Sequence, residues 1–475
     1  MNGGVDLATL TLSDAAKLIS SRNLSPVELT KGYLDRIRRF DPAISSFILV
    51  TEEIALQQAR RAENEIARGG YLGTLHGIPY ALKDIIETAG IPTTAHSRVL
   101  KEYVPTCSAA VAQRLHNAGG ILLGKLACLE FAHARPTPDQ AWPQARNPWN
   151  TAHGFTGGSS TGSGAAIAAS LALGTIGTDT GGSVRNPAAL CGITGLMPTY
   201  GRVSRRGVIP YSYSLDHVGP MAWTAEDCAW MLQMIAGYDS EDPGSVERPV
   251  PDFRAKFRDR LDGLRIGWIR HFYERDVMAD AETREAINET VRTLRDLGAT
   301  VEEASAQPLQ AYHDCKLIIS VAEFYSVHEA DFMANFAAYG DDLKSKAVQG
   351  AFVRAVDYLQ AQKQRRKLAR DMVGTMAPFD VLLTAANFRP APRISNAPRD
   401  YGDFFQTPNI TSVTNVTGNP TISLCNGFSS NGLPLAFQLI GRPFDEASVL
   451  AVGHAYQQIT RWHRRRPALV ETLAA

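Results

Sequence analysis

The chain has 475 residues, 44% hydrophobic and 20% charged, and its 48 basic side chains balance 48 acidic ones for a formal net charge of zero. That balance suits a globular protein with an extensive core and excludes a general electrostatic affinity for nucleic acid or anionic membranes. Six scattered cysteines without C-x-x-C spacing read as reduced thiols, and Met1 to Asp6 lack a basic and apolar leader, so the expected location is cytoplasmic.

From the N-terminus, Ser25-Pro26-Val27-Glu28 combines a capping serine, proline at the first helical position and a glutamate facing back. Leu29, Tyr33, Ile37 and Phe40 follow at helical spacing. Gly77 to Asp84 contains a strand-like apolar run followed by Lys83. Ala109 to Ala118 reads as a helix closed by Gly119-Gly120, with Ile121 to Leu123 as the next strand. Gly157 to Gly164 and Gly177 to Pro187 read as glycine-dense loops, with Ala165 to Leu173 between them as a helix of small residues too short to span a bilayer.

Ser240 to Phe257, with three prolines, reads as a surface excursion. Ile287, Val291, Leu294 and Leu297 then mark a helix that stops at Gly298 before the strand Ala299-Thr300-Val301. Tyr312 to Met376 is a long helical stretch whose charges, including Lys363, Arg365, Arg366 and Lys367, are expected on a solvated face. Strands return at Val381 to Leu383, Thr421 to Leu424 and Leu435 to Leu439, and Ser448 to Arg461 closes the chain as a helix. The alternation predicts an α/β fold with a sheet covered on both faces, and residues 1–475 are expected to form a single domain.

The two glycine-dense loops and the lysine carry the chemistry. A serine hydroxyl is a weak nucleophile that needs a base, and the oxyanion formed on attack at a carbonyl needs preorganised N–H donors. Thr180, Gly181, Gly182 and Ser183 can supply the nucleophile and a converging set of backbone donors, because glycines let the backbone approach a substrate oxygen. Lys83, once buried, loses its charged form readily and becomes a base, with Ser159 relaying the proton between it and Ser183. No metal or cofactor is required, and the histidines include no H-E-x-x-H cluster.

These segments resemble the amidase signature family, whose members cleave C–N bonds with a Ser-Ser-Lys triad. The resemblance runs from about Gly77 to Pro220 and includes Cys191 to Ser204. It implies a large mixed β-sheet of roughly eleven strands between helical layers, a cis peptide bond before Ser159 and acylation of Ser183. A mostly apolar pocket would suit a small aryl or alkyl amide, carbamate or ester, the charge balance points to neither nucleic acid nor membrane as partner, and self-association into a homo-oligomer is left open. The pocket is expected from Leu129 to Trp149, with Phe131, Trp142 and Trp149, together with Phe155, Tyr211, Tyr213 and Phe404 to Asn415.

Two other readings compete. Gly158-Ser159-Ser160-Thr161-Gly162 satisfies the G-x-S-x-G elbow of α/β-hydrolases, which makes Ser160 the nucleophile of an esterase, yet the residues before it read as a loop where that elbow needs a strand. The signature also occurs in the glutaminase subunit of the tRNA-dependent amidotransferase. That relative carries an acidic residue ten positions before the glycine of its Asn-Leu-Ala-Gly motif, where it binds the amine of glutamine. Here the motif is Asn415-Val416-Thr417-Gly418 and the position holds Pro408, so a stand-alone amidase is the main expectation.

Overall fold

The computed structural model describes residues 5–135, 137, 139–152, 154–394 and 407–471. Among them, one 11-stranded sheet runs in the order β1-β3-β2-β4-β6-β5-β10-β11-β9-β7-β8. In chain order the strands are β1 (Phe47–Val50), β2 (Pro79–Lys83), β3 (Ile121–Leu126), β4 (Gly174–Asp179), β5 (Thr194–Met197), β6 (His217–Ala222), β7 (Arg265–Trp268), β8 (Thr300–Glu303), β9 (Val381–Ala385), β10 (Thr421–Phe428) and β11 (Pro434–Gly441). β2 pairs in parallel with both β3 and β4, while β4, β6, β5, β10, β11 and β9 pair antiparallel in turn. The sheet is therefore mixed, and every residue of β2, β3 and β4 is buried, as expected for strands covered on both faces.

Local signals account for several elements. Ser25 Oγ accepts hydrogen bonds from the Val27 and Glu28 N–H groups and starts the helix Pro26–Ile44. The helix Ala110–Asn117 leads into β3, and Ala281–Asp296 leads into β8. The expected closing helix is Glu446–Ile459, which begins two residues before the expected start because Asp445 caps it, accepting from the Ser448 N–H, and a short helix, Ala468–Glu471, follows it.

Other segments depart from the sequence reading. Gly174 to Asp179 is a central strand, although the sequence reading places no strand there and takes Gly177 onward as a loop. Packing overrides the weak strand preference of glycine here, since a Cβ on Gly174 would lie 2.2 Å from Met231 Sδ. The small-residue helix is Thr161–Ala168, displaced toward Ser160. It packs across β2, β3, β4 and β6 at close range, and a Cβ on Gly162 would meet Ser46 O at 2.3 Å. The helical stretch after Tyr312 is three helices, Leu309–Asn335, Asp341–Gly350 and Ala355–Met376. Its first break lies where the Gly340 N–H turns to donate to Glu130 Oε2 at 3.1 Å. Lys363, Arg366 and Lys367 point away from the core, but Arg365 is tucked in, donating to Val416 O and Ser214 O. No described helix is long and apolar enough to cross a membrane.

Candidate active site

Because β2 and β4 are parallel neighbours, their carboxyl ends open on the same edge of the sheet, the usual position of a site in an α/β fold. Lys83 is the last residue of β2 and is fully buried. Its Nζ donates to Ser159 Oγ at 2.8 Å and to Thr178 Oγ1, on β4, at 2.7 Å. The next residue, Asp84, is held by Lys125, whose Nζ lies 3.1 Å from Asp84 Oδ1. No carboxylate therefore lies within 4.0 Å of Lys83 among the described residues. Burial lowers the Lys83 ammonium from 10.5 to about 8, against the opposing fields of Cys128, Asp179 and Asp216.

Ser159 follows a cis Gly158–Ser159 peptide bond and precedes the helix that begins at Thr161. Ser183 lies in the turn between β4 and the helix Arg185–Cys191. Both serines line one cavity with Leu129, His133, Tyr211, Lys316 and Asn409. Among the described residues no hydrogen bond joins the two serine hydroxyls; the Ser160 N–H donating to Ser183 O at 3.3 Å ties the two loops together. Ser160 itself is fully buried, with its Oγ between the Thr178 N–H and carbonyl, and it does not line the cavity. That placement counts against the elbow reading.

Asp179 shapes the loop that carries Ser183. Its carboxylate accepts from the Gly182 and Val184 N–H groups at 2.7 and 3.0 Å and from Arg185 through Nε and Nη2 at 3.0 and 2.9 Å. Asn415 adds a donor at 2.9 Å. Burial pushes the Asp179 carboxyl up, but the Arg185 guanidinium and these hydrogen bonds hold it well below the usual carboxylate range. This arrangement corrects the expected donor set: the Gly182 N–H is engaged by Asp179, leaving Thr180, Gly181 and Ser183 as the backbone donors without a protein acceptor among the described residues. Gly182 has φ +118, and a Cβ there would lie 2.0 Å from Thr411 Oγ1, so only glycine fits the turn.

Asp179 and Arg185 are both fully buried. Asp179→Ala is expected to cost about 3–5 kcal/mol of unfolding free energy in urea titration, because it leaves an unpaired buried guanidinium. A loss below about 1 kcal/mol counts against this carboxylate as the organiser of the loop.

Of the six aromatics named for the pocket, Phe131, Trp142, Trp149, Phe155, Tyr211 and Tyr213, only Tyr211 lines the cavity. Asp216 holds it there, accepting from the Tyr211 N–H at 2.9 Å and from Thr180 Oγ1 at 2.5 Å. Phe131 is buried against His328 and Tyr339. Trp142 lies in a separate groove with Leu34, Ile37 and Phe47. Trp149 donates its indole N–H to Cys191 O and packs on Phe428, and Phe155 joins Leu190 and Ala391 in a small core cluster. None of these four reaches the serine cavity, since an aromatic ring reads alike in sequence whether it fills a core, lines another groove or walls the pocket. Tyr213 is 46% exposed and lines a neighbouring cavity. Asn409 and Ser412, within the expected segment from Phe404 to Asn415, line the cavity, while Phe404 to Gln406 lie outside the described residues.

Sequence reasoning passed over Thr178, Asp179 and Arg185, although all three sit inside the Gly177 to Pro187 loop it singled out. It also missed His313 and Lys316, which carry no motif and reach the cavity only through folding, whereas Leu129, Ala132 and His133 line the cavity from within the expected segment Leu129 to Trp149.

The sequence matches the amidase family over residues 28–450. It is 41% identical over 490 residues to a glutamyl-tRNA(Gln) amidotransferase subunit of Methylococcus capsulatus, covering 96% of this chain and 98% of that protein. Among solved structures, the peptide amidase of Stenotrophomonas maltophilia superposes with a TM-score of 0.84 at 29% identity, covering 97% of this chain and 99% of that one. A 6-aminohexanoate cyclic dimer hydrolase complexed with substrate superposes with a TM-score of 0.89 at 26% identity, covering 98% of this chain and 100% of that one. With the 11-stranded mixed sheet, this likeness along nearly the whole chain establishes that the protein belongs to the amidase family and is an amide-hydrolysing enzyme.

Proposed function

We propose that the chain cleaves a carboxamide through an acyl-enzyme on Ser183, with Ser159 and Lys83 as the proton relay. The observation that carries this reading is the buried Lys83 amine, 2.8 Å from Ser159 Oγ, with no carboxylate partner among the described residues to keep it charged. The neutral amine accepts the Ser159 proton while Ser159 takes the Ser183 proton, and Ser183 Oγ bonds to the carbonyl carbon. The oxyanion meets N–H groups of the Thr180 to Ser183 loop. As the tetrahedral intermediate collapses, the proton returns through Ser159 to the leaving nitrogen and the C–N bond breaks. Water then attacks the ester by the same relay and frees Ser183.

Likeness to the glutamyl-tRNA(Gln) amidotransferase relatives over nearly the full length supports a substrate of the primary carboxamide type, with ammonia leaving and a partner protein using it. A second reading, a stand-alone hydrolase of an amide or carbamate, is favoured by one observation. Pro408 stands where an acid would bind the amine of glutamine, and no described cavity residue is acidic. Ammonia release and amine release from glutamine, an aryl amide and an aryl carbamate test the two. Glutamine turnover that rises steeply when a partner protein is added supports the first. Appreciable turnover of the aryl substrates by the isolated chain, with glutamine inert, supports the second.

A further inference from the structure

Lys316, on the helix Leu309–Asn335, lines the cavity that holds Ser159 and Ser183. The bare Cα of Gly181 makes room for it: a Cβ at Gly181 would lie 3.0 Å from Lys316 Cε and 3.4 Å from Nζ. The ammonium therefore stands against the loop whose next turn carries Ser183. It donates to Tyr211 Oη at 3.4 Å, 5.5 Å from the centroid of that ring.

What it lacks is an anion. Lys125 and Lys346, two buried lysines near this region, each have a carboxylate, Asp84 at 3.1 Å and Asp342 at 2.9 Å, whereas Lys83 has none among the described residues and is spent on the hydroxyls of Ser159 and Thr178. No carboxylate lies within 4.0 Å of Lys316 among the described residues, and none of the described cavity residues is Asp or Glu. Its charge reaches its neighbours. Burial first, then Lys346 and Lys316, hold the His133 imidazole well below its ordinary range, and burial followed by Lys316 lowers His313. His133 Nε2 and His313 Nδ1, both buried, have no hydrogen-bond partner among the described residues. A cation facing a partly enclosed space, with no protein carboxylate among the described residues to pair with it, is relieved by a bound anion that accepts a hydrogen bond from it.

We propose that Lys316 recognises a carboxylate on the acyl part of the substrate, so that the enzyme prefers primary monoamides of short dicarboxylic acids to neutral amides. This rests on the reading of Ser183 as the site of amide cleavage and on the primary-carboxamide reading above, which places the carboxylate on the acyl side because ammonia, the leaving group of a primary amide, cannot carry one. An ammonium beside that carboxylate, as in glutamine, meets no acid in the described cavity and is repelled by Lys316. Glutaramate, which is glutamine without its amine, is then the better substrate.

The test compares kcat/KM of the full chain, by ammonia release, for glutaramate, its neutral isostere glutaramide, glutamine and 4-aminobutyramide. Glutaramate is expected to exceed glutaramide by about 10- to 100-fold, the range for a hydrogen bond to a charged group. Lys316→Met brings that ratio to near one, Lys316→Arg retains most of it, and Lys316→Glu inverts it and improves 4-aminobutyramide. A ratio near one in the unaltered enzyme, or a ratio that Lys316→Met leaves intact, overturns the proposal. The latter result is what a Lys316 acting only on the oxyanion, or only packing, would give. Calorimetry on Ser183→Ala separates the two readings. If none of the amides is turned over, the cleavage reading fails, while the same Lys316-dependent preference in binding still supports carboxylate recognition. Equal binding of glutaramate and glutaramide by Ser183→Ala overturns it.

Discussion

Ser183→Ala is expected to lower kcat on any amide substrate by roughly 10⁴-fold or more, the scale seen when a covalent nucleophile is removed and only binding and oxyanion stabilisation remain. Ser183 is held by the Asp179 to Arg185 turn and opens into the cavity, whereas Ser160 spends its hydroxyl on the Thr178 backbone. An activated fluorophosphonate should therefore label Ser183, as peptide mapping by mass spectrometry will read. Labelling of Ser160 would falsify the assignment and restore the nucleophile-elbow chemistry. Ser159→Ala should also be severely impaired, yet it leaves the labelled residue in place, so slow labelling at Ser183 is expected to persist.

The pH profile should rise through Lys83. Its folded value, about 8, lies below the ordinary 10.5 because burial disfavours the ammonium. The base is the neutral amine, so kcat/KM should climb about tenfold per unit at low pH and level off above about 8. Lys83→Ala should remove that limb and cost roughly 10²–10⁴-fold on amides, the usual contribution of a positioned acid–base group. The loss should be smaller on an ester of the same acyl group, since an alkoxide departs without the protonation that an amine needs. Equal losses on the two substrates would mean that Lys83 holds Ser159 in place, through the 2.8 Å contact, and shuttles no proton.

Fold class and family were legible in the chain, and so were the segments that hold Lys83, Ser159 and Ser183, because each rests on short-range order. A capping serine at Ser25, a helix stop at Gly119 before β3 and two glycine-serine loops are written in consecutive residues. What depended on non-local contact was not. β4 is invisible to strand propensity, since its glycines are chosen for the close approach of Met231 and Ser160. Phe131, Trp142, Trp149 and Phe155 differ from Tyr211 only in the direction their rings face, which packing against His328, His96, Phe428 and Leu190 decides. Arg365 and Lys316 both read as charges on helices, but a helix displays all its faces in sequence and only docking selects which are covered. Arg365 ends on two backbone carbonyls and Lys316 in the cavity beside Ser183. The charge balance of the site followed the same rule: Asp84 adjoins Lys83 in the chain, yet the parallel pairing of β2 with β3 gives that carboxylate to Lys125 and leaves the Lys83 amine free to lose its proton.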